Sequence, residues 1–251
     1  MRVSAWITLG IASYLLFLIF NFPAQQAIGW VSASDIRPPV EFMGASGTVW
    51  SGGADRVVYR KIPLGKVKWH FRPANLLLGR LAYEIELTDA GQKITGVAKA
   101  GLAGGYRLEQ VEGLLLANRI PQLIGQNQLN INGKVDLNDL SLDYEDGRLT
   151  STEGRIRWLD ASVASPINLQ VGDLQADLST DDTGSINAQI KDLKGTTRIK
   201  AEVSLKNDGN FQVDGTVKPG SQTDPGLNAA LSAIARSKPD GSFQLKYSGR
   251  I

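Results

Sequence analysis

The sequence predicts a mainly β protein: an N-terminal transmembrane helix, then a large antiparallel and strongly curved sheet, an open groove or a flattened barrel, with a few short helices. Three observations predict it. An uncharged, largely apolar run extends from Val3 to Phe22. After it, apolar and polar residues alternate in short segments that recur roughly every 10–15 residues, the spacing of an antiparallel meander and not of βαβ units. Between the segments lie turn signals, many built on the chain's 27 glycines.

The apolar run comes first. A helix rises about 1.5 Å per residue and a hydrocarbon core is about 30 Å thick, so roughly 20 apolar residues suffice to cross. Arg2 precedes the run and the next basic residue is Arg37, so the positive-inside bias keeps the N-terminus in the cytoplasm. The competing reading is a cleaved signal peptide, with an apolar region of about 7–15 residues and a small-x-small cleavage site. Phe22 to Ala27 offers no good site, and Val31-Ser32-Ala33 lies far from the apolar core. An uncleaved anchor fits better, with Trp6 and Trp30 placed as interfacial aromatics. The predicted organisation is a cytoplasmic N-terminus over residues 1–4, a membrane helix over 5–23 that ends at Pro23, a linker over 24–40 containing Pro38 and Pro39, and an exported β domain over 41–251.

Composition narrows the chemistry. The 251 residues carry a formal charge of +2, too balanced for nucleic acid as the main partner. One histidine and no cysteine leave no disulfide, zinc cluster or thiol nucleophile.

In chain order, Gly44 to Ala54 reads as a Thr48-Val49-Trp50 strand core bracketed by glycines, with Trp50 a core or interface aromatic. It lacks the Gly-Lys-Ser/Thr ending of a phosphate loop. From Gly65, Val67, Trp69 and Phe71 alternate with Lys66, Lys68, His70 and Arg72, a half-buried strand that leaves His70 on the solvated face. Pro73 to Gly79 is one helical turn or loop that packs its leucines over the sheet end. Tyr83, Ile85 and Leu87 form the next strand, and Asp89 to Gln92 turns the chain into Ile94 to Ala100. Gly101 to Gly105 is a turn. Within Leu108 to Ile124 a short buried helix is expected, with Pro121 at a first helical position.

A strand ladder follows. Ile131, Val135 and Leu137 share a face with Gly133, and Leu140, Leu142 and Tyr144 share another. Glu145-Asp146-Gly147, Asp181 to Gly184 and Asn207-Asp208-Gly209 are turns. Gly209 to Gly215 resembles Gly241 to Tyr247, and between these repeats Pro225 to Arg236 has helical spacing of Leu227, Leu231 and Ile234. The chain ends in a strand at Tyr247 to Ile251.

Charge is uneven. Seven basic residues between Asp55 and Arg80 face one acid, and acids dominate from Asp136 to Asp182. A basic, membrane-proximal segment suits anionic headgroups as well as a solvated face. The acid pairs Glu145-Asp146 and Asp181-Asp182 sit in turns, where carboxylates cap backbone amides, so no catalytic site and no cofactor is expected.

The N-terminal anchor, Gly47-Thr48-Val49-Trp50-Ser51-Gly52, the Trp69 strand with its leucine-rich turn, and the closing Gly-x-Phe-x-Leu-x-Tyr-x-Gly at Gly241 to Gly249 together resemble the type II secretion system protein N family. The resemblance implies a bitopic inner-membrane protein with a periplasmic β domain, accessory to the machine that exports folded proteins across the outer membrane, with other secretion components as partners and no catalytic residues. A continuous apolar sheet face is also similar to the AsmA-like periplasmic lipid-binding grooves, which would make an acyl chain the ligand. Candidate interaction residues are Trp50, Trp69, Leu245 and Tyr247, the last two on a terminal strand edge open to strand addition.

Overall fold

The computed structural model describes residues 2–33, 40–101, 104–165, 169–195, 197–220, 231–232 and 235–250, without the side chains of residues 2–5, 33 and 169. It divides into two units, Met1–Gly91 and Gln92–Ile251.

The first unit opens with helix α1, Arg2–Phe20. It stops where Asn21 bonds back to the Phe17 carbonyl through both its backbone N–H, at 3.0 Å, and its side-chain amide, at 2.9 Å, just before Pro23. Every residue from Trp6 to Phe20 is exposed. At about 1.5 Å per residue these fifteen residues cover about 22 Å. Among the described residues no helix is long and apolar enough to cross a membrane, so the predicted transmembrane helix is not found there. A second helix, α2 at Ala24–Ala33, occupies the stretch in which the sequence showed no periodicity. Pro23 lies just ahead of it, where a missing N–H costs nothing, and Ala24 is buried.

Four strands follow: β1 Val40–Gly47, β2 Ser51–Tyr59, β3 Ile62–Phe71 and β4 Arg80–Asp89. Each of β1 to β3 pairs antiparallel with its successor. The alternation read from Gly65 holds: Val67 and Phe71 are buried while Lys66, Lys68 and His70 are exposed. Ala54, Val57 and Val67 form the small core, with Trp69, Ile85 and Leu87 packed on it.

Two expectations change here. Thr48-Val49-Trp50 is the turn between β1 and β2 and not a strand core, because Gly47, at φ 81°, reverses the chain and the Thr48 N–H closes onto the Ser51 carbonyl at 2.9 Å. Pro73–Leu78 is the expected helical turn, of 3-10 type, but its leucines do not pack over the sheet. Leu76, Leu77 and Leu78 are 46%, 90% and 72% exposed.

The second unit is a meander: β5 Gln92–Gly101, β6 Tyr106–Leu116, β7 Asn130–Glu145, β8 Arg148–Ser165, β9 Leu169–Thr180, β10 Ile186–Lys194, β11 Arg198–Leu205 and β12 Asn210–Lys218, then the short β13 Arg236–Ser237 and β14 Phe243–Arg250. Strands β5 to β12 pair antiparallel in chain order. Among the described residues no pairing joins the first strand of either unit to its last, so neither closes into a barrel by itself. The Pro121 turn forms as α3, Ile120–Leu123, after a 3-10 turn. Ala117 beside it, with Ile131 and Val135, makes the main core.

The two apolar sets of β7 do not lie on opposite faces. Leu137 sits opposite Ile156 and Leu142 opposite Thr152, two partners an even number of residues apart and therefore on one face of β8. An extra residue in β7, centred on Asp139 at φ 47°, is a bulge that shifts the parity and brings both sets to the same side. The helix predicted over Pro225 to Arg236 lies largely outside the described residues. Its described Leu231 is buried against Val217 and Phe243, and Arg236 belongs to β13. The two similar segments, Gly209 to Gly215 and Gly241 to Tyr247, contribute to neighbouring strands, β12 and β14.

Candidate functional site: an aromatic collar and an open strand edge

The first site is built around the β1–β2 turn. Trp50 is half-buried there, and its indole N–H donates to the Ile19 carbonyl in the last turn of α1 at 2.7 Å. That carbonyl also accepts the Phe22 N–H, just past the helix, at 3.3 Å, so two donors cap this C-terminal end. The Trp50 ring lies 6.4 Å from Phe20 on α1 and 4.9 Å from Phe71 on β3, and Phe71 is 5.3 Å from Tyr83 on β4. These separations are within the range of favourable tilted and edge-to-face ring pairs. An aromatic chain thus runs from the apolar helix across three elements of the sheet.

The backbone joins along the same line. The Val49 N–H donates to the Phe22 carbonyl at 3.0 Å and the Phe71 N–H to the Trp50 carbonyl at 2.7 Å, and Pro23 bridges Thr48. Trp69, also half-buried, donates its indole N–H to the Thr48 carbonyl at 3.1 Å and meets Phe42 edge-on at 6.4 Å. Gly52 is required by this packing. A Cβ there would fall 2.5 Å from the Ser46 carbonyl oxygen and 2.7 Å from Cζ2 of Trp69. The structure therefore brings Trp50 and Trp69 into one collar, both serving as donors to backbone carbonyls. Phe20, Phe71 and Tyr83, which complete it, were not singled out in the sequence. The only signal was their apolar character within an alternating or continuous run.

Leu245 and Tyr247 lie in the second unit, on β14. Leu245 is half-buried on the Val217, Leu231 and Phe243 cluster. Tyr247 is 66% exposed, with its ring 5.7 Å from Phe211 of β12. On one side β14 pairs along its length with β12. On the other, β13 covers only Phe243 and Gln244, so among the described residues Leu245 to Arg250 has no strand on its outer edge.

The polar face of the second unit carries cross-strand ion pairs. Arg107 meets Asp143, Lys99 meets Glu109, Arg157 meets Asp136 at 2.6 Å, and Arg155 meets Asp177 at 2.7 Å. Hydrogen bonds from Arg155, Gln175 and Lys191 hold the Asp177 carboxyl at about 2, below its ordinary 3.8. Asp181 behaves as the turn reading expects. The Thr183 hydroxyl, the Ser185 N–H and the Asn187 amide donate to it and lower it to about 2. Its lowered value has the cause of a capping carboxylate. His70 is exposed and 3.3 Å from the Ser51 hydroxyl. Among the described residues no group of acids and histidine is arranged to hold a metal ion.

A family model described as type II secretion system (T2SS), protein N matches residues 38–246. The chain belongs to the type II secretion system protein N family. Its relatives there are alike almost end to end. A type II secretion system protein N of Aeromonas hydrophila is 25% identical over 96% of each chain. One from Pectobacterium carotovorum subsp. carotovorum is 21% identical over the full length of both, and one from Klebsiella pneumoniae is 22% identical over 95% of this chain and 92% of the relative. No solved structure matches. The match to the protein N model starts just ahead of β1 and ends within β14, so it takes in Trp50, Trp69 and Leu245 and stops one residue short of Tyr247.

Proposed function

We propose that the chain is a component of the type II secretion system, anchored in the inner membrane by α1 with its N-terminus cytoplasmic and its β units periplasmic. There it scaffolds the export of folded proteins across the outer membrane. The observation that carries the secretion reading is the protein N match along residues 38–246. Anchoring is supported by α1 itself, whose described residues from Trp6 to Phe20 are all exposed although mostly apolar. A helix apolar on every side needs an apolar surrounding, and a bilayer supplies one. Helix α1 has 19 residues, about 28 Å at about 1.5 Å per residue, close to the roughly 30 Å of a hydrocarbon core, and the Trp50 collar ties its end to the sheet.

Scaffolding would use the outer edge of β14, where backbone groups of Leu245 to Arg250 are available to an added strand of another secretion component. An acyl-chain groove is supported less well. The concavity over β9 to β12 is lined by Asp177, Lys191, Lys200, Glu202 and Asp214 among other polar residues, a poor bed for hydrocarbon. The test is co-purification of secretion components from the native host with the wild-type chain and with proline variants on β14. Loss of a partner from a variant that remains folded supports the contact; full retention in every folded variant removes it.

A further inference from the structure

We infer that the Leu76-Leu77-Leu78 turn is a second membrane contact, a leucine tip set into the headgroup boundary of an anionic bilayer beside α1. The inference rests on the anchoring of α1 proposed above.

Position comes first. In an antiparallel sheet, alternate turns share one end. The β1–β2 turn, which holds Trp50, and the β3–β4 connection, which holds the leucines, therefore lie at the same end, as the pairing of Ser51 with His70 requires. That is the end at which α1 joins, since the Trp50 ring bridges Phe20 of the helix and Phe71, two residues before the turn begins. A bilayer that takes up the last turn of α1 passes alongside this end of the first unit.

The turn is also built to present its side chains. The Arg72 N–H bonds to the Ala82 carbonyl at 2.8 Å, and the Asn75 N–H returns to Arg72 at 3.2 Å. The Gly79 N–H closes on Leu76 at 3.0 Å, with Gly79 in the left-handed conformation. Within this fixed frame no residue of Pro73–Leu78 is buried, and Leu77 is 90% exposed. Leu81, just beyond, is 37% exposed. Consecutive leucines held out by an ordered turn form an apolar surface that water does not reward. Arg72, paired with Glu84 at 3.1 Å, and the exposed Arg80 bracket it, and Arg80 gives the apolar tip a basic rim that matches anionic headgroups above acyl chains.

The chain has no cysteine, so single probes are simple to place. Full-length Leu77→Cys, Ile11→Cys and Lys61→Cys carry a polarity-sensitive fluorophore in vesicles of phosphatidylethanolamine and phosphatidylglycerol. Lys61 marks the β2–β3 turn at the opposite end of the same sheet. The expected result is a blue shift at positions 11 and 77, with quenching by brominated acyl chains, and neither at 61. Water-like emission at 77 with a lipid-quenched probe at 11 overturns the inference, leaves the anchor standing and makes a protein partner the occupant of the leucines. Water-like emission at both 11 and 77 overturns the anchor and the inference together. Exchange of phosphatidylglycerol for phosphatidylcholine should weaken quenching at 77; equal quenching removes the basic rim from the proposal.

Discussion

Replacing Trp50 with alanine removes the part that joins α1 to the sheet. The indole hydrogen bond to Ile19 contributes about 1 kcal/mol. The ring pairs with Phe20 and Phe71 contribute about 0.5–1.5 kcal/mol each. A fully buried Trp→Ala change costs about 3–5 kcal/mol, and Trp50 is half-buried, so a local loss of about 2–3 kcal/mol is consistent with both routes. Every 1.4 kcal/mol is tenfold in an equilibrium constant, which makes opening of the collar roughly 30- to 150-fold more frequent. Amide hydrogen exchange of Val49 and Phe71 reads it directly, because their N–H groups bond to Phe22 and Trp50 across the junction. Trp50→Phe keeps a ring and loses the donor, so its acceleration should stay near the hydrogen-bond share of about 1 kcal/mol, roughly fivefold. Unchanged exchange at both amides in Trp50→Ala would refute the collar as the element that holds helix to sheet.

Gly52→Ala drives a methyl into the Ser46 carbonyl and the Trp69 ring. It should cost about 1–3 kcal/mol, as overpacking does, and lower Tm by about 2–4 °C for each of them in circular-dichroism melts. Asp181 has a folded pKa of about 2 against an ordinary 3.8. The stability it supplies is therefore present above about pH 4 and is lost as pH falls through 2. Melts between pH 5 and pH 2 should fall less steeply for Asp181→Asn than for wild type, and identical slopes would count against the turn-capping role. On β14, successive N–H groups point to opposite sides of the strand. One of Lys246→Pro and Tyr247→Pro therefore breaks the ladder to β12 while the other disturbs only the outer edge. Thermal melts should separate the two variants, and only the outer-edge one should lose a partner while retaining wild-type Tm.

Much of the fold was legible because period-two alternation is a backbone property. Val67 and Phe71 fell on the buried side, and Lys66, Lys68 and His70 on the exposed side, as their spacing requires. The turns at Asp181 to Gly184 and Asn207 to Gly209 were legible because Asp and Asn beside Gly cap backbone amides. Bulges were not. Asp139 takes a positive φ with nothing in its neighbours to mark it, so Leu142 shares a face with Leu137 against the expected parity. Tertiary contact decided other points. Thr48-Val49-Trp50 has strand propensity, yet Gly47 and the bond to Ser51 make it a turn. The leucines after Pro73 looked like core because apolar residues usually are, and no pattern tells a buried leucine tip from an exposed one. At the candidate site, Trp50 stood out through its glycine frame and Trp69 through the alternation from Gly65, whereas Phe20 and Phe71 became partners only once α1 met the sheet. Helix α2 escaped notice because ten residues hold too few turns for a clear period.

The most direct test of a role in secretion is the protein content of the culture medium from the native host with the gene intact, deleted, and restored on a plasmid. On deletion, specific exported proteins should leave the medium and accumulate in the periplasm, and the plasmid should return them. A medium unchanged by deletion, with no periplasmic accumulation, would contradict that role.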